Sequence, residues 1–120
     1  MRQQRNFMKK NKTEIEEITD RLIKFRDERN WEQFHNSKDL ALALSIEAAE
    51  LNELFLWKGA EDVNVEKLKE ELADVLIFSF LLARKHRLNI RDIMMKKIAV
   101  NENKYPAEKA KDMATKYNEL

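Results

Sequence analysis

Apolar residues recur every three or four positions along most of this 120-residue chain, a spacing typical of amphipathic helices. Polar capping residues divide the pattern into four segments. The predicted helices cover about residues 13–28, 37–57, 65–86 and 90–104, and their predicted caps are Thr13, Ser37, Asn64 and Asn89.

The third segment differs from the others because the run VLIFSFLLA, residues 75–83, is apolar on nearly every side. A helix of this kind lies either at the centre of a fold or at a subunit interface. A chain of this length offers too few other helices to cover it. We therefore expect a homo-oligomer, a dimer or a tetramer.

The remaining segments read as connections. The chain has one Gly and one Pro, which leaves little material for turns, so the fold class predicted is all-α, a bundle of four to five helices. Pro106 ends the fourth helix, and the tail reads as a short helix or an ordered arm. Residues 1–12 are polar and basic and are predicted to be a flexible segment preceding one domain over residues 13–120.

Composition narrows the classes of function. The net charge is +1, and positive and negative residues are mixed along the chain. The sequence therefore predicts no broad basic surface for nucleic acid. The longest apolar stretch is far shorter than the ~20 residues that span a bilayer, and no apolar run follows the basic residues at the start. No cysteine is present, so disulfides and thiol chemistry are excluded. We expect no membrane association and a cytoplasmic location.

Four carboxylates stand out by their positions on the predicted helices. Glu47 and Glu50 are one turn apart on the second helix, and Glu71 and Asp74 are one turn apart on the third. At about 100° per residue, both pairs fall on faces that a soluble helix would bury. The short connection between the two helices requires antiparallel packing, which brings the pairs opposite each other.

Burial of four acids is costly unless a cation offsets their charge. Two carboxylates about 5 Å apart repel by roughly 3 kcal/mol at an effective dielectric constant of 20. A divalent cation is the simplest remedy, and an all-oxygen ligand set suits Mg²⁺ or Mn²⁺ far better than Zn²⁺. The sequence therefore predicts a metal site formed by Glu47, Glu50, Glu71 and Asp74.

Two other interpretations of the acids are open. A carboxylate-bridged di-iron bundle would need two Glu-x-x-His pairs, and Glu32 with His35 is the only one in the chain. A non-catalytic, homo-oligomeric interaction module would use the acids as caps or in salt bridges. In that case metal would change nothing, and Glu47→Gln or Asp74→Asn would leave stability equal or higher.

The residues also match a known family. The chain resembles the all-α nucleoside triphosphate pyrophosphohydrolases of the MazG superfamily, whose motif is Glu-x-x-Glu on one helix and Glu-x-x-Asp on the next. The resemblance covers residues 13–120 and is closest to the dCTP pyrophosphatase subgroup, in RDERNWEQFHNSKDLALALSIEAAELNELFLWK, EELADVLIF and NKYPAEKA.

The resemblance implies a reaction and a cofactor. The four acids would hold Mg²⁺, with Mn²⁺ as a substitute. The substrate would be a dNTP, either dCTP or a modified dCTP. Water would cleave the bond between its α and β phosphates. The products would be a nucleoside monophosphate and pyrophosphate, and the role would be house-cleaning of the nucleotide pool. Glu47 or Glu50 would accept the proton of the attacking water.

The resemblance also implies binding residues. Trp31, His35 and Trp57 would surround the base or sugar, with Phe78 beside them. The animal members carry a tyrosine where this chain has Phe78, so any contact made by that hydroxyl is missing here. The residues implied for the phosphates are Asn101, Lys104, Tyr105 and Lys38, the first three in a segment that the superfamily uses from the same or a neighbouring subunit.

Overall fold

The computed structural model describes residues 11–119, and within that range the regular secondary structure is all helix with no strand. The prediction of an all-α fold with four to five helices is confirmed. The helices are α1 (Glu14–Glu28), α2 (Ser37–Glu53), α3 (Val65–Lys85), α4 (Ile90–Lys104) and α5 (Ala107–Ala110), with 3-10 turns at Glu32–Phe34 and Tyr117–Glu119. All but two residues of the predicted flexible segment 1–12 lie outside the described range.

Three of the four predicted caps are confirmed. The Thr13 hydroxyl accepts from the Glu16 N–H at 3.1 Å, which starts α1. The Asn64 side chain accepts from two backbone N–H groups at the start of α3, at 3.1 and 3.2 Å. Asn89 accepts from the Asp92 N–H at 3.0 Å and starts α4. Each cap satisfies donors that a helix start leaves unpaired.

The prediction of Ser37 as the cap of α2 is wrong. The cap is Asn36, whose Oδ1 accepts from the Asp39 N–H at 2.8 Å. The Ser37 hydroxyl is engaged elsewhere, at 2.8 Å from His86 Nε2. The helix therefore starts one residue earlier than predicted, with the neighbouring asparagine in the capping role.

The predicted end of α2 at about Trp57 is also wrong, because the helix ends at Glu53. The next three N–H groups bond to carbonyls three residues back, at 3.0–3.3 Å, which tightens the chain into successive turns. Trp57 then adopts φ 62°, in the left-handed region, which a helix cannot continue through. The apolar residues after Glu53 therefore belong to a turn.

The chain divides into two compact units, the first ending at Leu88 and the second starting at Asn89. In the first unit α2 and α3 share the most extensive helix contact, and α1 also packs on α3. The most deeply buried side chains are Leu40, Leu81 and Ala83. The apolar helix α3 is thus the central element of this unit, as its pattern predicted.

The second unit contains α4 and α5. At the end of α4 the Tyr105 N–H donates to the Asn101 carbonyl at 2.8 Å, and Pro106 then precedes α5. The predicted end of α4 at Lys104 is confirmed. The single domain expected over residues 13–120 stays a prediction. None of the helices in residues 11–119 is long and apolar enough to cross a membrane.

Candidate functional site

Three of the four predicted acids meet between α2 and α3. Carboxylate oxygens of Glu47, Glu71 and Asp74 lie within 4.8 Å of one another, and all three residues are partly buried. Glu47 lies in the middle of α2, and the other two lie in the first half of α3. Antiparallel packing of the two helices brings them together, as the sequence predicted.

Glu50 occupies a different position from the other three acids. It is exposed, so the prediction that its face of α2 would be buried is wrong for this residue. Its carboxyl nevertheless adjoins both Glu47 and Glu71 and is within hydrogen-bonding reach of each. Glu50 therefore lies at the solvent-facing edge of the group, where it can interact with the close trio.

The proton affinities of Glu47 and Glu71 are raised by burial and by the neighbouring acids. Burial, the hydrogen bond with Glu50 and the negative charges of the other acids raise the pKa of Glu47 to about 7. Burial, followed by the charge and hydrogen bond of Glu50, also raises the pKa of Glu71. Removal of carboxylates from water and repulsion between like charges both disfavour the ionised form. The site thus concentrates negative charge that only a proton or a cation can neutralise.

Two carboxylate oxygens of these acids lack hydrogen-bond partners in the part of the chain that the structure describes. Glu47 Oε2 and Glu71 Oε2 are buried and have no hydrogen-bond partner among the described residues. An unpaired buried carboxylate oxygen is costly, so such atoms call for a ligand. A hard cation with oxygen preference, such as Mg²⁺ or Mn²⁺, fits this set of ligands. Glu47, Glu71 and Asp74 are the residues that would hold it.

A pocket of about 210 Å³ opens between α1, the 3-10 turn after it and α3. Three of the four residues predicted to bind the base or sugar, Trp31, His35 and Phe78, line this pocket, and its wall is almost wholly apolar. The ring of Phe25 meets Trp31 edge to face at 5.7 Å and so supports it. An apolar, aromatic cavity of this kind suits a flat organic ring.

His35 contributes the pocket's main polar feature. Its Nδ1 atom is buried and has no hydrogen-bond partner among residues 11–119. Burial lowers the pKa of His35, and the nearby Arg26 guanidinium lowers it further, while Glu32 opposes them. The ring therefore favours its neutral form, in which each nitrogen is either a donor or an acceptor. One of its two nitrogens is then able to accept a hydrogen bond.

The pocket and the acids share α3. Phe78 lies four residues after Asp74, which is one helical turn, or about 6 Å along the helix axis. A molecule with its ring in the pocket can therefore present a charged group to the acids within the length of one small ligand. This spacing links the two halves of the candidate site.

Five pocket residues were missed by the sequence predictions. The pocket also contains Leu22, Phe25, Arg26, Ile77 and Leu81. The four apolar residues fit the helical stripe of α1 or the apolar surface of α3, so their pattern is the same as that of core residues. Arg26 carried no signal at all, since it is one of three basic residues in α1 and nothing in the pattern sets it apart.

Several predicted binding residues do not line this pocket. Trp57 is 93% exposed on the turn after α2. Lys38 is exposed on the first turn of α2. Asn101 and Lys104 end α4 and Tyr105 follows it, all in the second unit. Their roles in binding base or phosphate stay predictions.

The chain is similar to known proteins over most of its length. The MazG-like family model matches residues 42–120, a range that includes all four acids. The chain is 39% identical to human dCTP pyrophosphatase 1 over 114 residues, covering 88% of this chain and 67% of the relative. It is 36% identical to the Bos taurus protein of the same name, covering 88% of this chain and 68% of that relative. A crystal structure of a pyrophosphatase from Archaeoglobus fulgidus matches with a TM-score of 0.72 at 38% identity, covering 80% of this chain and 95% of that one.

Proposed function

The chain belongs to the MazG-like family, and we propose that it is a metal-dependent hydrolase of nucleoside triphosphates. It cleaves a dNTP between the α and β phosphates and releases a monophosphate and pyrophosphate. The observation that carries this proposal is the acid trio one helical turn from an aromatic pocket. The relatives named dCTP pyrophosphatase 1 favour dCTP or a modified dCTP as substrate.

The proposed cofactor is Mg²⁺, with Mn²⁺ as a substitute. Glu47, Glu71 and Asp74 would hold it, and two of their buried carboxylate oxygens lack a hydrogen-bond partner among the described residues. When bound, the cation supplies charge neutralisation for the triphosphate and for the transition state of hydrolysis. Without it, the acids would repel a substrate that is itself strongly negative.

The protein's own groups position the substrate and accept a proton. Trp31 and Phe78 hold the base in the pocket, and His35 makes a polar contact to the base or sugar. The attacking water gives its proton to Glu47 or Glu50, the two adjoining carboxyls on α2. Glu50 is exposed and lies outside the close trio, so its carboxylate could accept this proton while the other three acids would hold the cation.

Asn101, Lys104 and Tyr105 are proposed to contact the phosphates, and Lys38 is a further candidate. The segment that contains the first three resembles one that the superfamily uses on the phosphates, which supports the proposal. Phosphate groups need cationic and hydrogen-bonding partners. Lysine and tyrosine at the end of α4 supply both kinds of group. Under this proposal, Lys104→Ala raises KM for the triphosphate.

The proposed working form is a homo-oligomer. Pairs of leucine and isoleucine residues one turn apart are exposed on both central helices, Leu42 and Ile46 on α2 and Leu72 and Leu76 on α3, each between 45% and 56% exposed. Rows of half-exposed aliphatic residues on adjacent helices favour an interface. Trp57 is exposed on the turn after α2 and does not line the pocket of its own protomer. We propose that it contacts the base or sugar from outside that pocket.

The proposed role is removal of unwanted triphosphates from the cytoplasmic nucleotide pool. The test is pyrophosphate release from the four common dNTPs, their ribonucleotide forms and 5-methyl-dCTP, with Mg²⁺ and with EDTA. Metal-dependent formation of dCMP ahead of other products supports the proposal. Faster hydrolysis of a dNTP with another base would support the reaction and reject dCTP as the preferred substrate. No turnover under any condition would favour the non-catalytic interaction module.

A further inference from the structure

Arg26 lies in the wall of the pocket although it is a charged residue. Its side chain is only 15% exposed, and it shares the pocket with aromatic and aliphatic residues. A covered guanidinium must have partners for its charge. Arg26 finds them in Asp27, with Nη2 to Oδ1 at 2.9 Å, and in Glu32, with Nη2 to Oε2 at 3.6 Å.

These partners hold the charged end of Arg26 away from the cavity. Its Nε also donates to Asp27 Oδ1 at 2.9 Å, so the guanidinium is fixed on two of its nitrogens. The pocket wall is almost wholly apolar. It follows that Arg26 presents its methylene stem to the cavity and keeps its charge among the carboxylates, as arginine side chains do at apolar surfaces.

The pocket is close in size to a cavity that holds a single aromatic ring. A cavity of about 150 Å³ binds benzene, and this one measures about 210 Å³. A space of this size suits a single flat ring better than a fused pair of rings. The side chains that form its walls therefore determine which ring fits.

We propose that Arg26 is a specificity-determining residue, whose stem restricts the pocket to a single-ring pyrimidine base and rejects the double ring of a purine. The inference rests on the proposed function, because it places a base in this pocket. Arg26 is suited to the role because its two anchors fix the stem, whereas an unanchored long side chain would move aside for a larger ligand.

Removal of the stem should leave the fold intact. Asp27 and Glu32 are 52% and 65% exposed, so water can solvate both carboxylates once the guanidinium is gone. Arg26→Ala also suits the interior of α1, since alanine favours helix. The substitution thus enlarges the cavity and leaves no buried charge without a partner.

The experiment compares kcat/KM for dCTP with kcat/KM for dATP and dGTP. In Arg26→Ala we expect the ratio of dCTP to purine to fall roughly tenfold or more, since single groups in a pocket wall discriminate by 10–200-fold. Arg26→Lys keeps an apolar stem and a charge that Asp27 and Glu32 can anchor, and it should hold the ratio within about threefold of wild type on the same scale. Arg21→Ala, an exposed arginine of the same helix outside the pocket, is the matched control and should match wild type.

Several results would overturn the inference. An unchanged ratio in Arg26→Ala, equal loss for all bases, or an equal shift in Arg26→Lys would each reject the anchored stem as the determinant, as would a wild type that prefers purines. Should Arg26→Ala lose helix content by circular dichroism, Arg26→Met decides the question, because methionine favours helix about as well as arginine does and no carboxylate anchors its stem, so the ratio should again fall. A wild type that hydrolyses no triphosphate rejects the proposed function itself, and this inference with it.

Discussion

Ser37 Oγ and His86 Nε2 lie 2.8 Å apart and join the first residue of α2 to the residue that follows α3. This contact joins opposite ends of the two helices, which pack antiparallel and share the most extensive helix contact of the unit. Glu47 lies ten residues after Ser37, and Asp74 lies twelve residues before His86, so at 1.5 Å per residue the two acids are level to within about 3 Å. The close approach of the carboxylates follows from this register.

The bond between Ser37 and His86 should contribute measurably to stability. We expect Ser37→Ala and His86→Ala each to lower the free energy of unfolding by about 0.5–1.5 kcal/mol. The double variant should lose less than the sum, because both single changes remove the same bond. Urea unfolding of the four proteins measures this coupling. Strictly additive losses in the free energy of unfolding would show that the two side chains do not stabilise each other and so do not hold the two helices in register.

The acids should be needed for turnover and not for folding. Glu47→Gln, Glu50→Gln, Glu71→Gln and Asp74→Asn should each reduce kcat/KM by about a hundredfold or more, since they remove a metal ligand or a proton acceptor. Helix content should stay near wild type by circular dichroism. Glu53→Gln changes an exposed acid of α2 outside the site and serves as the control. Near-normal turnover at saturating Mg²⁺ in two of the four would exclude this site.

The raised pKa of Glu47 predicts a pH-dependent stability without metal. The folded-state pKa of about 7 exceeds the ordinary value of 4.5, so this group stabilises the fold below about pH 4.5 and that contribution is lost as pH rises through 7. In EDTA, Glu47→Gln should therefore gain stability relative to wild type as pH rises from about 5 to 8. Urea unfolding at several pH values measures the difference, in which contributions from other groups cancel.

Metal should reverse that trend. At pH 8, Mg²⁺ should raise the melting temperature of the wild type and raise that of Glu47→Gln much less, because ligand binding stabilises only the state that binds. Thermal unfolding with Mg²⁺ and with EDTA provides the comparison. Equal shifts in the two proteins would place the metal elsewhere on the chain.

Trp31 should affect substrate binding more than chemistry. Trp31→Ala removes an aromatic wall of the pocket, and we expect it to raise KM or change base preference more than it lowers kcat. Phe34→Ala is the matched control, since Phe34 belongs to the same connection, is 62% exposed and does not line the pocket. Steady-state kinetics on dCTP and the other dNTPs tests this. Unchanged discrimination among the bases would argue against the aromatic pocket.

The exposed aliphatic row on α3 predicts a subunit interface. Leu76→Lys places a charge in that row, and we expect it to shift the protein from an oligomer toward monomer, as judged by light scattering after size exclusion. Lys67→Glu changes a charge at an exposed position of the same helix and should leave the mass unchanged. A monomeric wild type, or a Leu76→Lys variant of unchanged mass, would contradict the proposed interface.

Local signals predicted most of the secondary structure, and the errors concern one cap and one helix end. Thr13, Asn64 and Asn89 act as caps because their partners are two or three residues away along the chain. Ser37 instead lies 2.8 Å from His86, which is 49 residues away and which only the folded chain brings near. No local pattern indicates that the hydroxyl has a second partner available.

The sequence by itself determined the helices, the pairing of four acids on two of them and the aromatic and histidine residues near the first connection. Periodicity and spacing are local properties, so they are readable without a fold. The tertiary structure decided that Glu50 stays exposed while Glu47, Glu71 and Asp74 converge, because a helical face several residues wide does not reveal which part a neighbour covers. It also decided that Arg26 and four apolar residues complete the pocket, since a pocket wall and a packed core use the same side chains and differ only in the space that packing leaves empty.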